Sequence, residues 1–323
     1  MKKILSSALI LLSLAGLAAC GNNDKDTEAS TSSSAAEAKV TDQTLTIGVL
    51  PAESAIPIIL AKEEGFFEKL GLNVEISSFA SPNDRNVAIQ AKELDGTISD
   101  VMTEATFKKN GIDMTITSDI LEDFKILASP ASGITDMKGL SGKKVTLVPN
   151  FILEYIMDDF AKMDDFTYEI VEIPSFSARS EALLNNQVDG AVYTEPQASM
   201  LADQGAIVLG SSKAQGIKGG TIQFMDTALK DRPQDIAAFY EGYNQAIDYM
   251  NDHQASEYAD ILSDYQFPDA MSKYLDTQSE KYPYAQEVPK DQFEAIISWT
   301  KEKGQIEQDY TYAELTDFSY LKQ

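Results

Sequence analysis

The chain is poor in the side chains that build disulfides and transition-metal sites. Its 323 residues include one cysteine, Cys20, and one histidine, His253. A lone cysteine cannot form an internal disulfide, and zinc and related metals draw on several histidine or cysteine ligands. The sequence therefore predicts neither a disulfide framework nor a metal site. His253 lies in the polar run 251–254 and is expected at the surface.

Positive charge is scarce as well. Lysine and arginine number 26 against 51 aspartates and glutamates, which gives a net charge of −25. Binding to nucleic acid or to anionic lipid depends on clustered basic side chains. Nucleic acid is therefore excluded as a partner, and the excess of carboxylates is interpreted as a solvated surface.

Motifs that mark common enzyme active sites are also missing. The sequence has no G-x-S-x-G run, no P-loop and no dinucleotide fingerprint. Adjacent carboxylates such as Asp158 and Asp159 fall within polar patterns that are typical of a surface. The prediction is a protein without enzymatic activity and without a cofactor, and a catalytic pair of carboxylates is the alternative that these patterns leave open.

The first twenty residues have the layout of a secretory signal. Lys2 and Lys3 precede an apolar run at 4–14, which is too short to span a bilayer as a permanent helix. The run Leu-Ala-Ala-Cys-Gly at 17–21 resembles the lipobox of bacterial lipoproteins. That resemblance implies that residues 1–20 are a lipoprotein signal peptide and that Cys20 becomes the first mature residue, with a diacylglyceryl thioether (palmitate as a typical acyl chain) that holds the protein to a membrane.

The next segment, 21–43, contains few large apolar side chains. Such a segment cannot bury enough apolar area to fold, so it is predicted to be a flexible tether. About 280 residues remain, which is enough for two lobes by the usual size of domains.

Strand-like and helix-like patterns alternate along the rest of the chain. Residues 45–50 and 74–79 have the patterns of buried strands, and residues 55–70 between them show helical spacing. This βαβ alternation predicts a parallel sheet flanked by helices. The same alternation begins again at residue 143.

An internal repeat supports two lobes of similar topology. Residues 74–100 align with 168–194 without a gap, which places Arg85 on Arg179 at an offset of 94. The prediction assigns 44–128 and 224–323 to lobe 1 and 129–223 to lobe 2. The chain is then expected to cross between the lobes near 127–132 and near 219–225.

Several runs of sequence carry a family resemblance that covers residues 45 to about 310. LTIGVLPAESAIPIILAKEEGFFEKLGLNVEI, LDGTISD, GLSGKKVTL and QVDGAVYTEP resemble the NitT/TauT-type solute-binding proteins, the SsuA/THI5-like or NMT1-like family. The resemblance implies an α/β, type II periplasmic-binding-protein fold with two lobes and a hinge. It also implies a monomeric substrate-binding subunit of an ABC importer, on the outer face of a bacterial cytoplasmic membrane, with permease and ATPase partners.

Two other functions remain as alternatives to transport. One is an adhesion or signalling lipoprotein on the same fold, and the other is an enzyme of related fold. Some proteins of related fold are enzymes of thiamine or menaquinone synthesis, but export with a lipid anchor does not suit them.

The carboxyl ends of parallel strands are where such sheets bind ligands. The side chains predicted to line a cleft there are Glu53, Ser54, Ser99, Asp100, Asn150, Phe151, Tyr193 and Glu195. Helix caps are the alternative role for the two serines, and a place in the core is the alternative for Phe151 and Tyr193. Arg85 and Arg179 are predicted to be structural and to anchor the Asp-Gly turns at Asp95 and Asp189.

The charge of these strand ends predicts the chemistry of the ligand. They carry Glu53, Asp100 and Glu195 but no lysine or arginine, so a small solute that donates hydrogen bonds is expected. Asp100 and Glu195 are expected to accept those bonds from opposite sides. Within the sulfonate, nitrate, taurine and thiamine-pyrimidine-precursor class that the family implies, an N–H-rich heterocycle is preferred.

Overall fold

A computed structural model of the protein describes residues 39–321. The predicted signal peptide, Cys20 and most of the predicted tether lie outside this range. Within the range, none of the helices combines the length and the apolar character that crossing a membrane requires.

Ten strands form two five-stranded sheets in the described part of the chain. They are β1 (Thr44–Val49), β2 (Asn73–Ser78), β3 (Gly96–Asp100), β4 (Met114–Asp119), β5 (Lys125–Ala128), β6 (Lys144–Leu147), β7 (Glu169–Glu172), β8 (Gly190–Tyr193), β9 (Ile207–Ser211) and β10 (Gly220–Met225). The first sheet has the order β2-β1-β3-β10-β4, and the second has the order β7-β6-β8-β5-β9.

The α-helices cover the sheets and fill the carboxyl-terminal region. They are α1 (Ile56–Glu63), α2 (Phe66–Lys69), α3 (Pro82–Gln90), α4 (Val101–Lys109), α5 (Ile152–Met163), α6 (Phe176–Leu184), α7 (Gln197–Asp203), α8 (Ser212–Gln215), α9 (Asp226–Asp231), α10 (Pro233–Asp252), α11 (Ala259–Asp264), α12 (Asp269–Asp276), α13 (Lys290–Glu302) and α14 (Tyr312–Leu315).

The two sheets are built in the same way, as the repeat predicts. In each, a central strand pairs in parallel with two neighbours, β1 with β2 and β3, and β6 with β7 and β8. Helices α3 and α6 begin and end 94 residues apart, which is the predicted offset. Asp95 and Asp189 accept hydrogen bonds at 2.9 Å from Thr46 and Lys144 in the neighbouring strand. These aspartates fix the start of each strand pair.

The chain passes between the sheets a few residues earlier than predicted. Strand β5 pairs with β8 and β9 in the second sheet, and β10 pairs with β3 and β4 in the first. The crossing segments are therefore 120–124 and 212–219. The sequence suggested the later positions because turn-forming residues follow β5, whereas the first crossing is made by the acidic run around Glu122 and Asp123.

Helix α13 packs across both lobes, so it does not belong to the first lobe alone. Its apolar face shares a core with α4 of the first lobe and α5 of the second. Trp299 stacks edge-on against Tyr155 and donates to Asp158 at 2.8 Å. Lys303, which follows the helix, forms ion pairs with Glu154 and Asp158 of α5.

Candidate functional site

A cavity of about 80 Å³ is lined by residues at the carboxyl ends of β1, β3, β6 and β8, two strands from each sheet. A cavity of this volume is large enough for a compact solute. Most of its wall is apolar, with Leu50, Ile120, Phe124, Val148 and Leu153 among the lining side chains. The position agrees with the rule that open parallel sheets bind ligands beyond their strand ends.

Four of the eight predicted ligand residues line this cavity, namely Ser54, Ser99, Asp100 and Phe151. The Ser99 hydroxyl is buried and has no hydrogen-bond partner in the protein. Ser99 is not a helix cap, because Asp100 occupies that position for α4.

The other four predicted residues lie around the cavity but do not line it. Asn150 adopts a left-handed conformation (φ 69°) and lines a neighbouring groove. Tyr193 is fully buried, with its hydroxyl 3.2 Å from the Phe176 carbonyl oxygen. Glu195 accepts a hydrogen bond from the Ser199 N–H at 3.0 Å and so stabilises the start of α7. Glu53 lines a second cavity with Glu122 and Tyr274.

Arg85 and Arg179 line the cavity, one from each lobe, which corrects the prediction that they anchor Asp-Gly turns. Arg85 is buried and well hydrogen-bonded. Its Nη1 donates to the Ile98 carbonyl oxygen at 2.8 Å, and its Nε and Nη2 donate to the Asn86 side chain. Asp95, which Arg85 was predicted to hold, is paired with Arg232 at 2.6 Å.

Arg179 is fully buried and far less well satisfied. Its Nη1 makes a long contact of 3.4 Å with the Ile173 carbonyl oxygen, and its Nε and Nη2 have no hydrogen-bond partner. No carboxylate of the described residues forms an ion pair with it. The rings of Phe176 and Tyr193 lie 4.7 and 5.1 Å from its guanidinium and hold it in place.

Asp100 brings negative charge into the same cavity. Its Oδ1 accepts the Thr103 N–H at 2.8 Å and caps α4. Burial raises the pKa of the Asp100 carboxyl, while Arg85, Thr103 and the Ile152 backbone N–H act in the opposite direction. Ile152 is the first residue of α5, which has no side-chain cap of its own. A carboxylate of the first lobe therefore lies at a helix N-terminus of the second, where the helix dipole stabilises negative charge.

Glu53 belongs to a different group of acids, near the first crossing. Burial, with smaller contributions from Asp123 and Glu195, raises the pKa of Glu53 to about 8. Its Oε1 is buried without a partner, and Tyr274 is its hydrogen-bonding neighbour. The Glu53 backbone N–H donates to the Glu195 carbonyl oxygen at 3.3 Å, which joins the two lobes.

These positions change the prediction about the charge of the ligand. The sequence placed Asp100 and Glu195 on opposite sides of one solute, but Glu195 does not line the cavity. The charged residues that do are Arg85, Arg179 and Asp100. Two guanidinium groups and one carboxylate favour an anion, because a buried charge without a partner is costly.

No metal-binding cluster adds to this site. Among residues 39–321, there is no group of three or more histidine, cysteine, aspartate or glutamate side chains placed to hold a metal ion. His253 is exposed and stacks on Tyr249.

Two α/β sheets of the same topology, joined by two crossing segments and lining one cavity with their strand ends, define the type II periplasmic-binding-protein fold. The alkanesulfonate-binding protein SsuA of Xanthomonas axonopodis pv. citri, solved with bound MOPS, matches with a TM-score of 0.74. The match covers 87% of this chain and 99% of that one, at 16% identity. The predicted fold is confirmed.

The family model described as NMT1/THI5 like matches residues 53–257. The chain therefore belongs to the NMT1/THI5-like family, as its sequence motifs predict. It is similar to a putative aliphatic sulfonates-binding protein of Bacillus subtilis (strain 168), with 27% identity over 226 residues, 66% of this chain and 67% of that protein. It is also similar to the 4-amino-5-hydroxymethyl-2-methylpyrimidine phosphate synthase of Schizosaccharomyces pombe, with 25% identity over 142 residues, 43% of this chain and 41% of the synthase.

Proposed function

We propose that this protein is the solute-binding subunit of a bacterial ABC importer and that its solute is a small organic anion, with alkanesulfonates as the first class to test. The observation that carries the proposal is the buried Arg179 guanidinium in the cavity wall, with Nε and Nη2 unpartnered. A sulfonate offers oxygens for those N–H groups, and the apolar wall suits an alkyl chain.

The relatives support binding over catalysis. The two bacterial proteins compared above are named as sulfonate-binding, and their matches cover more of this chain than the match with the fission yeast synthase. An importer function also fits the proposed location, on the outer face of the cytoplasmic membrane beside a permease and an ATPase. The lipid on Cys20 is a separate part of the proposal, tested by whether Cys20→Ala abolishes lipid labelling and membrane retention.

The function is tested by titration calorimetry with a panel of short alkanesulfonates. Arg179→Met should weaken binding of the tightest sulfonate by about a hundredfold or more, because each charge-assisted hydrogen bond contributes roughly 1.5–3 kcal/mol. The melting temperature of ligand-free Arg179→Met should not fall, because the change removes an unpaired buried charge.

Arg232→Met is the matched control. Arg232 is also buried, but it lies outside the cavity and is paired with Asp95 and the Thr44 carbonyl oxygen. Its loss should lower the melting temperature and leave sulfonate affinity unchanged. Wild-type protein that bound no sulfonate would refute the solute class, and full affinity in Arg179→Met would move the site elsewhere.

A further inference from the structure

The cavity wall has more positively charged than negatively charged residues. Arg85 and Arg179 contribute two positive charges and Asp100 contributes one negative charge. All three are buried, with exposed fractions of 2%, 0% and 3%. Their charges therefore act on a bound solute with little screening by water, and the wall has a formal net charge of +1.

Asp100 is held where it is by groups other than a ligand. It caps α4 through Thr103 and lies beside Arg85 and the first turn of α5. Arg85 has three protein hydrogen bonds besides this neighbour. Asp100 therefore offsets the charge of Arg85, and Arg179 is left as the guanidinium whose Nε and Nη2 groups have no partner.

From this arrangement we infer that Asp100 is a specificity-determining residue, which makes the cavity select singly charged anions over doubly charged ones. This inference rests on the proposed function. A monoanion neutralises the wall, whereas a dianion leaves one uncompensated negative charge in a buried site. The repulsion from Asp100 also acts twice as strongly on a ligand with two negative charges.

The inference is tested by removing the charge of Asp100 while keeping a residue that can cap α4. Asparagine and serine are both good N-cap residues, so Asp100→Asn and Asp100→Ser should keep α4 in place. The probes are ethanesulfonate and ethylphosphonate, which have similar size and shape. They are titrated at alkaline pH, where the phosphonate carries two charges.

Wild-type protein should bind the sulfonate at least about tenfold more tightly than the phosphonate. In both Asp100 variants, the dissociation constant for ethylphosphonate divided by that for ethanesulfonate should fall by about tenfold or more. The reason is that removal of the Asp100 charge strengthens binding of the dianion more than binding of the monoanion. Glu172→Gln, which removes a carboxylate from the neighbouring groove but not from the cavity wall, should leave the ratio unchanged.

The outcomes separate this inference from the proposed function. If wild-type protein binds ethanesulfonate but the ratio is the same in wild type and both Asp100 variants, Asp100 does not set the selectivity and the function stands. Equal affinity of wild type for the two probes would also overturn the inference. If wild-type protein binds neither probe, the organic-anion function itself fails, and the selectivity fails with it.

Discussion

Glu53 is a carboxyl group whose ionisation opposes the folded state. It is buried, and the carboxylates of Asp123 and Glu195 add to the burial effect, so its pKa rises from the ordinary 4.5 to about 8. The folded protein therefore holds a proton that the unfolded chain has already lost at neutral pH. The resulting stability is full below pH 4.5 and disappears as the pH rises through about 8.

Replacing Glu53 with glutamine should remove this dependence. Relative to Glu53→Gln, the wild-type free energy of unfolding should fall by about 2–4 kcal/mol between pH 5 and pH 9. Urea unfolding at several pH values measures the difference. Glu287→Gln, at an exposed position, should keep the wild-type profile. Parallel profiles for wild type and Glu53→Gln would show that Glu53 is already ionised in the folded protein.

The sequence predicted where the cavity lies better than which side chains reach it. The cavity lies at the carboxyl ends of the strands, as predicted, and four of the predicted residues line it. Arg85 and Arg179 were missed although each takes the first position of a buried i, i+3, i+4 stripe on its helix. An arginine that begins such a stripe faces the interior of the protein and not the solvent. The chain has only three arginines, and all three are buried. The small number of arginines was therefore a signal in the sequence that each one has a specific role.

The two crossing segments form one hydrogen-bonded element. The Glu122 carboxylate accepts the backbone N–H groups of Gly219 at 3.0 Å and Gly220 at 2.9 Å. Lys218 pairs with Asp119 beside them. Segment 120–124 therefore holds the end of segment 212–219 through a side chain, and both must bend together when the lobes move.

Glu122→Gln should loosen this junction. A glutamine side chain has one acceptor oxygen, and its amide nitrogen would face an N–H donor, so one backbone group loses its partner at a cost of about 1–3 kcal/mol. Hydrogen exchange at Gly219 and Gly220 should accelerate about tenfold or more. Glu280→Gln is the control. The Glu280 carboxylate lines the second cavity together with Glu122, but it is largely exposed. Unchanged exchange would mean that other contacts protect these amides.

Among the elements, the repeated helices were easier to predict than the crossing strands. Apolar spacing and a gapless repeat fix α3 and α6 locally. The pairing of β5 and β10 depends on partners distant in the chain, and a four- or six-residue apolar run fits either sheet equally well. Their assignment to the opposite sheets needed the three-dimensional structure.

At the largest scale, contacts between the two lobes hold the described part of the chain, residues 39–321, closed. Glu53 N–H donates to the Glu195 carbonyl oxygen, and the Gln197 side chain donates to the Pro51 carbonyl oxygen at 3.2 Å. The contacts of α13 and Lys303 with α5 also help to hold the lobes together. Opening must break the direct bonds, and α13 must then part from one of its two neighbours.

A bound anion should shift the protein toward this closed form. The tightest sulfonate of the panel is expected to decrease the radius of gyration measured by small-angle scattering, because closure brings two lobes together around one solute. It should also raise the melting temperature by mass action. Arg179→Met should show neither change at the same concentration. A profile that does not change on saturation of the wild type would mean that the free protein is already closed.

The place of β10 has a consequence for the order in which the chain folds. It is the last of the described strands in sequence, yet it lies inside the first sheet between β3 and β4. The second sheet uses strands from Lys125–Ser211 alone and can be completed earlier. Until β10 arrives, β3 and β4 lack their shared neighbour, and such long-range pairing is slow. The sheet that begins with the first described strand of the chain is therefore the sheet that is completed last.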